Sequence, residues 1–444
     1  MRGKDKSIFP ATCLQAGRNT YLCSSDVAIY GASVAQIPCG MYCRSIQVND
    51  FKNYPSFRVE FIPGFNCLTG KNGSGKTNLL DAVHYLSFCK SFINPIDQQN
   101  IRHTCDTAIL QGEFMSDSSS ENIFCSFRKG TRKIFKRNGR EYDRLADHIG
   151  LIPLVTISPE DAVIITGGSE ERRRFMDTVI SQFDKIYLDN LLRYNKALEH
   201  RNRVLKEYHS REKPDELSLE IWNEKMIPLA EYVFAKRKKF IEDLVHPLQT
   251  FYSLLCNTEE ISVQYVSQLE KSPLAELFAR SLQRDLALEF TSSGTHKDDL
   301  LFHLDEYPLK KFGSQGQQKT FVIALKLAVL LYLHRQTGRQ PILLLDDIFA
   351  QLDAARVTRL MQILAGDNKQ DFPVELSSIP QGFADQAGNN PFGQIVITDT
   401  SNEVITDIVS EVTVPIRIIE IENNNIIRIA DFPVVEKKMV EINN

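Results

Sequence analysis

One glycine-rich loop limits what this chain can fold into more than any other feature of its sequence. The loop reads Gly70-Lys71-Asn72-Gly73-Ser74-Gly75-Lys76-Thr77 and fits the pattern G-x-x-x-x-G-K-[ST]. Its glycines let the backbone curl so that several N–H groups point into one hollow. The helix that follows adds the positive end of its dipole, so the loop is predicted to bind the phosphates of a nucleoside triphosphate.

The residues around this loop support the prediction. Phe65–Leu68 is a short apolar run that predicts the strand before the loop. After the loop, apolar residues recur at helical spacing, at Leu79, Leu80, Val83 and Leu86. Lys76 supplies a positive charge for the β- and γ-phosphates, and Thr77 offers a hydroxyl to Mg²⁺. We therefore expect ATP and Mg²⁺ at this loop, with Lys76 taking part in catalysis.

The composition narrows the class of protein. A chain of 444 residues has room for about two to three domains, and its 43% hydrophobic and 24% charged residues are enough for a packed core. The net charge is −4, so a nucleic-acid partner would need a local basic face. The nine cysteines are scattered without a C-x-x-C pair, which argues against a zinc site or a disulfide framework. This pattern favours a reducing, cytoplasmic location.

The composition and the hydrophobic period change several times along the chain, and these changes predict five parts. Residues 1–40 lack a steady period and are expected to be a poorly ordered extension. We assign 41–168 to the first half of an ATPase lobe, 169–292 to a helical lobe, 293–434 to the second half of the ATPase lobe and 435–444 to a tail. Residues 366–394, rich in Gly, Asn, Gln, Asp and Pro, predict a long loop.

The middle of the chain has a helical period. Apolar residues recur at steps of three and four from Phe175 to Leu198, which predicts one long amphipathic helix. A second helix is predicted at roughly Ile221–Leu255, with Pro214 in the break between the two. The insert is too short for an extended coiled-coil rod. The predicted fold is thus α/β, with a helical second lobe.

A cationic segment lies between two predicted strands, Ala108–Phe114 and Asn122–Phe127, and the helical insert. Residues 128–140 contain seven basic residues and no acidic one, and Asn138-Gly139 predicts a hairpin turn. One interpretation is a solvated hairpin face. The other is a contact with the phosphates of DNA, because clustered cations mark nucleic-acid binding. The candidates for this contact are Arg128, Arg132, Lys133, Lys136 and Arg137.

A second chemical site follows the helical insert. The apolar run Ile342–Leu345 ends in Asp346 and Asp347, the pattern of a Walker B strand. A continuously apolar strand is buried on both faces, and ligands bind at the carboxyl ends of such strands in open α/β sheets. Asp346 is expected to hold Mg²⁺, directly or through water, and Asp347 to orient the attacking water. The alternative is an acid pair that merely ends a core strand.

The separation of these two motifs suggests a class. Residues 78–341 lie between them, far more than in a compact GTPase-like domain. A nucleotide-binding fold split by a helical insert resembles an ABC-type P-loop ATPase head. The turn Ser314-Gln315-Gly316-Gln317 then resembles the ABC signature, although Ser, Gly and Gln before a helix also suit a plain N-cap. In that class, the signature of one copy touches the γ-phosphate bound by the other, so an ATP-dependent homodimer is expected.

Three further positions fit the ABC pattern less closely. Asp353, after Leu352, is similar to the D-loop at the seam of such a dimer. Gln98 or Gln99 is a candidate for the Q-loop ligand. No histidine occurs after His334, so the usual switch histidine is missing, and Asp399 or Thr400 stands in its neighbourhood.

Several blocks of the chain resemble the RecF family of bacterial recombinational repair ATPases. They are Met41–Thr77, Ile157–Asp161, Glu170–Asp177, Gly294–Leu300, Phe312–Thr320 and Leu343–Asp353, in family order. The resemblance implies an SMC-like ABC head that dimerises with ATP on single-stranded, gapped or junction DNA and hydrolyses ATP slowly. It also implies work with RecO and RecR in placing RecA at gaps, in support of replication and the SOS response.

Two aspects of this hypothesis stay open. The chain could instead be the ABC ATPase subunit of another SMC-like or transport complex, although a transport subunit would show a switch histidine and no cationic hairpin. The block His296–Asp299 matches the family without an assigned role.

Overall fold

A computed structural model describes residues 40–116, 119–208, 216–256, 259–349, 352–365, 393–400 and 415–432. The predicted extension (apart from Gly40), nearly all of the predicted loop 366–394 and the predicted tail lie outside these ranges. In the part of the chain that is described, no helix is both long and apolar enough to cross a membrane.

The strands, numbered along the chain, are β1 (Tyr42–Phe51), β2 (Tyr54–Glu60), β3 (Phe65–Thr69), β4 (Thr107–Ser116), β5 (Ser119–Arg128), β6 (Ile134–Arg137), β7 (Arg140–Glu141), β8 (Leu154–Ile157), β9 (Ile261–Val266), β10 (Asp299–Leu304), β11 (Tyr307–Pro308), β12 (Ile342–Asp346), β13 (Ile395–Asp399), β14 (Ile416–Glu422) and β15 (Asn425–Phe432). The helices are α1 (Lys76–Phe88), α2 (Val163–Thr166), α3 (Ser169–Ile180), α4 (Lys185–Glu207), α5 (Glu216–Leu255), α6 (Leu274–Leu288), α7 (Leu309–Phe312), α8 (Gln315–Thr337) and α9 (Ala354–Ala365).

The central sheet brings the two chemical motifs together. Its strand order is β15-β14-β3-β13-β12-β8, and all its pairings are parallel except that of β14 with β15. The phosphate-loop strand β3 and the acidic strand β12 flank β13. Their carboxyl ends therefore meet at one edge of the sheet, although 271 residues (70–340) lie between Thr69 and Pro341 in sequence.

The central sheet is buried on both faces, which explains its continuously apolar strands. Along β12, Leu343 and Leu345 pack into one core with α3, α5 and α8. Ile342 and Leu344 point to the opposite face and pack into a second core with α1 and the antiparallel sheet β2-β1-β4-β5-β6-β7. The prediction of a doubly buried acidic strand is thus confirmed.

One sequence prediction about the middle of the chain is wrong. The single helix predicted from Phe175 to Leu198 is two helices, α3 and α4, because Asp184 caps a new helix by accepting a hydrogen bond from the Tyr187 N–H at 2.8 Å. The helical second lobe also carries the sheet β11-β10-β9, whose strands β9 and β10 lie on either side of the boundary predicted between residues 292 and 293.

The block His296–Asp299 receives a structural explanation at this junction. Arg237 donates to the fully buried Asp298 at 2.8 Å, and Arg172 makes two bonds to Asp299 at 2.6 and 3.0 Å. These pairs join α5 and α3 to the start of β10. Paired and hydrogen-bonded charges are the form in which buried carboxylates are tolerated, so the block holds the second lobe together.

The buried His148 gives the fold a pH dependence. Its Nε2 lies 2.7 Å from the Leu86 carbonyl oxygen and its Nδ1 lies 3.1 Å from the Tyr142 hydroxyl, so the neutral ring is satisfied. Burial lowers the pKa of His148 to about 4. The unfolded chain takes up this proton below its ordinary pKa of about 6.5, so the stability contribution is complete above that pH and is lost as pH falls toward 4.

We expect His148 alone to account for about 2 kcal/mol of the unfolding free energy lost between pH 7 and pH 5. Denaturant titrations at the two pH values should show a shallower pH dependence in His148→Gln than in the unaltered protein. The exposed His103 provides the control, and His103→Gln should keep the original dependence. Equal pH dependence in all three proteins would refute this role of His148.

Candidate functional site

The phosphate loop is held by contacts that only glycine permits. Gly70 and Gly75 have φ of 147° and 104°, a region that side chains disfavour. A Cβ atom on Gly70 would collide with the Ile421 carbonyl oxygen, and one on Gly75 would collide with the Tyr54 hydroxyl. The loop thus packs between the β1–β2 turn and the end of β14. This packing fixes the backbone N–H groups of the loop around the start of α1.

Lys76 reaches across this loop. Its side chain is largely buried, and its Nζ donates to the carbonyl oxygens of Gly70 at 2.7 Å and Lys71 at 3.2 Å. Burial lowers the pKa of the Lys76 ammonium, while the Asp347 and Asp346 carboxylates act against that shift. A buried cation facing acids across a glycine-rich hollow is suited to receive the oxygens of a polyphosphate.

Thr77 joins the loop directly to the acidic strand. Its hydroxyl donates to Asp346 Oδ1 at 2.8 Å. Thr398, at the end of β13, donates to the same oxygen at 2.8 Å and accepts a bond from the Asp347 N–H at 3.0 Å. Thr398 is not among the site residues predicted from the sequence. Its only signal is a threonine at the carboxyl end of the apolar run 395–397.

The two acids differ in environment. Asp346 is 5% exposed, and burial raises the pKa of its carboxyl although Thr77 and Thr398 donate to it. Asp347 follows the strand with φ 47°, a left-handed conformation that non-glycine residues adopt rarely. Asp399 lies at the neighbouring strand end, opposite Thr69 in the β13–β3 register.

The donors at Thr77 and Asp346 fit a magnesium ion. Both are hard oxygen donors 2.8 Å apart, and a divalent cation would supply the opposite charge that the buried carboxylate needs. Among the described residues, no group of three His, Cys, Asp or Glu side chains could hold a metal ion alone. Mg²⁺ commonly takes one or two protein ligands and completes its shell with phosphates and water.

The turn that resembles the signature is a well-formed helix start on the surface. Ser314 and Gln317 form a capping box at the beginning of α8, with bonds of 3.2 Å from Gln317 N–H to Ser314 Oγ and 2.6 Å from Ser314 N–H to Gln317 Oε1. Ser314 and Gln315 are exposed. Gln317 also donates to Glu259 at 2.6 Å, which fixes the turn to the second lobe. The start of a 23-residue helix therefore faces solvent.

The residue resembling the D-loop aspartate lies beside this turn. Asp353 accepts a bond from the Arg356 N–H at 2.9 Å at the start of α9 and pairs with its guanidinium at 3.3 Å. The guanidinium in turn lies against Gly316, where a Cβ atom would be 3.3 Å from Nη1. The structure thus brings the signature-like and D-loop-like segments together on one surface.

Gln98 lies in the short turn Asp97–Asn100 and is exposed. This turn is bonded to α1 through Asp97 and the Tyr85 hydroxyl. It is also bonded to the turn after β1, since the Lys52 N–H donates to the Asn100 carbonyl oxygen at 2.8 Å. The Q-loop role of Gln98 stays a prediction.

The cationic segment forms the predicted hairpin, but two of its five candidates are held in ion pairs with acids. Lys133 pairs with Asp97 at 2.9 Å and donates to the Cys89 carbonyl oxygen at 2.6 Å. Arg137 is paired with the buried Glu121. These two cations stabilise the sheet, and the sequence could not show this because their acidic partners lie outside the hairpin. Arg128 and Arg132 are exposed, and Lys136 is half-buried with its Nζ 5.9 Å from the Phe124 ring.

Comparisons with known proteins identify the family. The model of the RecF/RecN/SMC N-terminal domain matches residues 42–393. A DNA replication and repair protein RecF of Phocaeicola vulgatus is 43% identical over 87% of this chain and 98% of its own length. The RecF of Bacteroides thetaiotaomicron is 45% identical over 84% of this chain and 94% of its own length. This chain belongs to the RecF family.

Solved structures agree with the family and its fold. A structure of the recombination mediator protein RecF with ATP superposes with a TM-score of 0.73 at 27% identity, covering 90% of this chain and 99% of that one. An Smc head domain derived from Pyrococcus furiosus shares the fold alone, with a TM-score of 0.50 at 15% identity over 88% of this chain and 96% of that one. The fold of this RecF-family protein is that of an ABC-type ATPase head, as the sequence predicted.

We expect Lys76→Ala to weaken ATP binding by about 10- to 100-fold, since it removes charge-assisted hydrogen bonds at the phosphates. Calorimetric titration of dilute protein with ATP and Mg²⁺ measures this directly. Lys90→Ala is the matched control, because Lys90 is an exposed lysine just beyond the other end of α1. Similar affinities for the two variants would show that the loop does not hold the triphosphate.

Proposed function

We propose that this protein is an ATP-dependent DNA-binding switch of recombinational DNA repair and replication. ATP joins two copies on single-stranded, gapped or junction DNA, and slow hydrolysis releases them. The observation that carries this proposal is the exposed start of α8 at Ser314 in a chain with a complete phosphate loop. The loop contacts Tyr54 and Ile421 whereas the turn contacts Glu259, and we propose that a second copy brings the two segments to the same nucleotide.

In the proposed dimer, each triphosphate lies between two copies. The loop amides and Lys76 of one copy hold the phosphates, and the α8 start of the other copy faces the γ-phosphate with its N–H groups. Thr77 and Asp346 would hold Mg²⁺, which neutralises phosphate charge when bound. Asp347 is the residue we propose to orient the attacking water, and Asp353 would lie at the seam between copies.

The chemistry at Asp347 supports slow turnover. Its side chain is one methylene shorter than the glutamate that many ABC proteins place there, so it reaches less far toward a water. No histidine follows His334 in the sequence, and Asp399 lies at the strand end next to the acidic pair instead. A site with weak water activation and strong phosphate binding stays closed long enough to act as a switch rather than as a motor.

The proposed partners follow from the family and the surface. A solved RecF to which this chain is similar is described as a recombination mediator of the RecFOR pathway. We therefore propose that this protein acts in the cytoplasm with RecR and RecO, supports RecA loading at gaps and thereby contributes to SOS induction. For DNA, the candidates that point outward are Arg128, Arg132 and Lys136, on the exposed side of the hairpin.

We expect sedimentation to show a monomer with ADP and a dimer with ATP and Mg²⁺. Lys76→Ala should remain monomeric because it lacks the ammonium group that holds the phosphates. Ser314→Arg should also remain monomeric, although each copy still binds ATP, because the added side chain blocks the α8 start. A wild-type protein that stays monomeric with ATP would contradict the proposed switch.

We expect the charge reversal Arg128→Glu, Arg132→Glu and Lys136→Glu to weaken DNA binding. The slope of log K against log salt should fall by about 2 to 3, as expected for the loss of up to three phosphate contacts. The matched control reverses Arg193, Lys196 and Arg203, which are exposed on α4. Equal losses in the two variants, measured by fluorescence anisotropy, would show that the hairpin makes no specific contact.

A further inference from the structure

Two exposed aromatic side chains stand next to the signature-like turn. Tyr307 and Phe312 are each 59% exposed, and their ring centroids are 5.4 Å apart in an edge-to-face arrangement. Aromatic residues in contact with each other on a surface are typical anchors of protein interfaces. The proposed contact between the start of α8 and a triphosphate does not account for them.

The local structure holds these rings outward. Leu309 is fully buried at the start of the four-residue helix α7, and Phe312 at its end is exposed. Gly313 then makes a tight turn, in which a Cβ atom would lie 2.7 Å from the Leu309 carbonyl oxygen. On the other side, Tyr307 is fixed by the pairing of β11 with Leu304 of β10. Both residues thus belong to short regular elements, Tyr307 to β11 and Phe312 to α7.

Lysines border the aromatic pair. The Nζ of Lys311 lies 5.3 Å from the centroid of the Phe312 ring, and Lys310 donates to the Gly167 carbonyl oxygen at 2.8 Å. Positive charge at this edge suits a surface that approaches a bound triphosphate. A partner surface that carries a bound triphosphate brings the negative charge that these lysines favour.

We propose that Tyr307 and Phe312 are the aromatic anchor by which one copy of this chain docks on a second copy in the ATP-bound dimer. This inference rests on the proposed function and extends it to the protein surfaces around the nucleotide. Only Gly313 separates Phe312 from Ser314, which places their Cα atoms within about 7 Å of each other. A partner surface that reaches Ser314 therefore also covers the ring.

The partner surface is the rim of the phosphate loop. Lys71, Asn72 and Gly73 are exposed there, and the Lys71 side chain is 90% accessible. An ammonium over an aromatic face is an attractive contact, so Lys71 of the second copy suits one of the two rings. The twofold symmetry of a homodimer repeats this contact at both nucleotides.

The size of the anchor explains why nucleotide is still required. A buried aromatic side chain contributes about 150–250 Å², so the exposed fractions of four rings would contribute roughly 350–600 Å². A stable interface buries about 1,600 Å². The anchor thus supplies about a quarter to a third of that area. This contributes to the stability of the dimer but is too little to dimerise the chain without ATP.

A single-tryptophan protein tests the docking directly. The chain has one tryptophan, so Phe312→Trp in a Trp222→Phe background places the only indole at the anchor. With ATP and Mg²⁺, its emission should shift to the blue and its quenching by acrylamide should fall at least twofold, at protein concentrations where sedimentation shows the dimer. ADP should leave both unchanged. A shift that does not depend on protein concentration would show that the same chain covers the ring and would overturn the inference.

The energetic test is the double variant Tyr307→Ala and Phe312→Ala. Its ATP-dependent dimerisation should require at least tenfold more protein than the wild type. The control is Ile186→Ala with Leu217→Ala, which removes two equally exposed apolar side chains elsewhere, at 63% and 69% exposure, and should dimerise like the wild type. If the wild type dimerises and the double variant does so equally well, the anchor is refuted and the proposed function stands. If the wild type itself stays monomeric, the proposed function fails.

Discussion

The hydrogen bond from Thr77 to Asp346 is the contact on which the rest of the site depends. It joins the first residues of α1 to the end of β12, two segments that meet only because β3, β13 and β12 are parallel neighbours in one sheet. Thr398 supports the same carboxylate from the strand between them. A sheet buried on both faces cannot slip without exposing apolar side chains, so these oxygens are held in register before any ligand binds.

The second lobe serves the site by placing the start of α8. The buried pairs Arg237–Asp298 and Arg172–Asp299 join α5 and α3 to β10. Gln317 is bonded to Glu259, which lies just before β9. The long helix α8 packs into the same hydrophobic core as the central sheet and so connects the second lobe to that sheet. The exposed helix start and the phosphate loop are therefore two rigid surfaces of one body, which suits a protein that changes state by joining a second copy.

The sequence predicted the parts of the site whose chemistry depends on local pattern. The glycine loop, the acidic strand and the Ser314 turn all follow from short-range spacing, and all three form as expected. It could not predict Thr398 or the ion pairs of Lys133 and Arg137, because the partners Asp346, Asp97 and Glu121 lie outside the short pattern of each segment. The split between α3 and α4 escaped detection because the apolar period continues across Asp184, and only its capping bond shows the break.

The central claim is that each nucleotide is shared between two copies, and mixing two defective proteins tests it most directly. Lys76→Ala lacks a working loop, and Ser314→Arg lacks a working helix start, so each alone should stay monomeric with ATP. In a mixed dimer, the loop of the Ser314→Arg copy faces the intact α8 start of the Lys76→Ala copy. We predict that sedimentation of the mixture with ATP and Mg²⁺ shows a heterodimer that binds one nucleotide. A mixture that remains monomeric, while the wild type dimerises, would contradict the shared site.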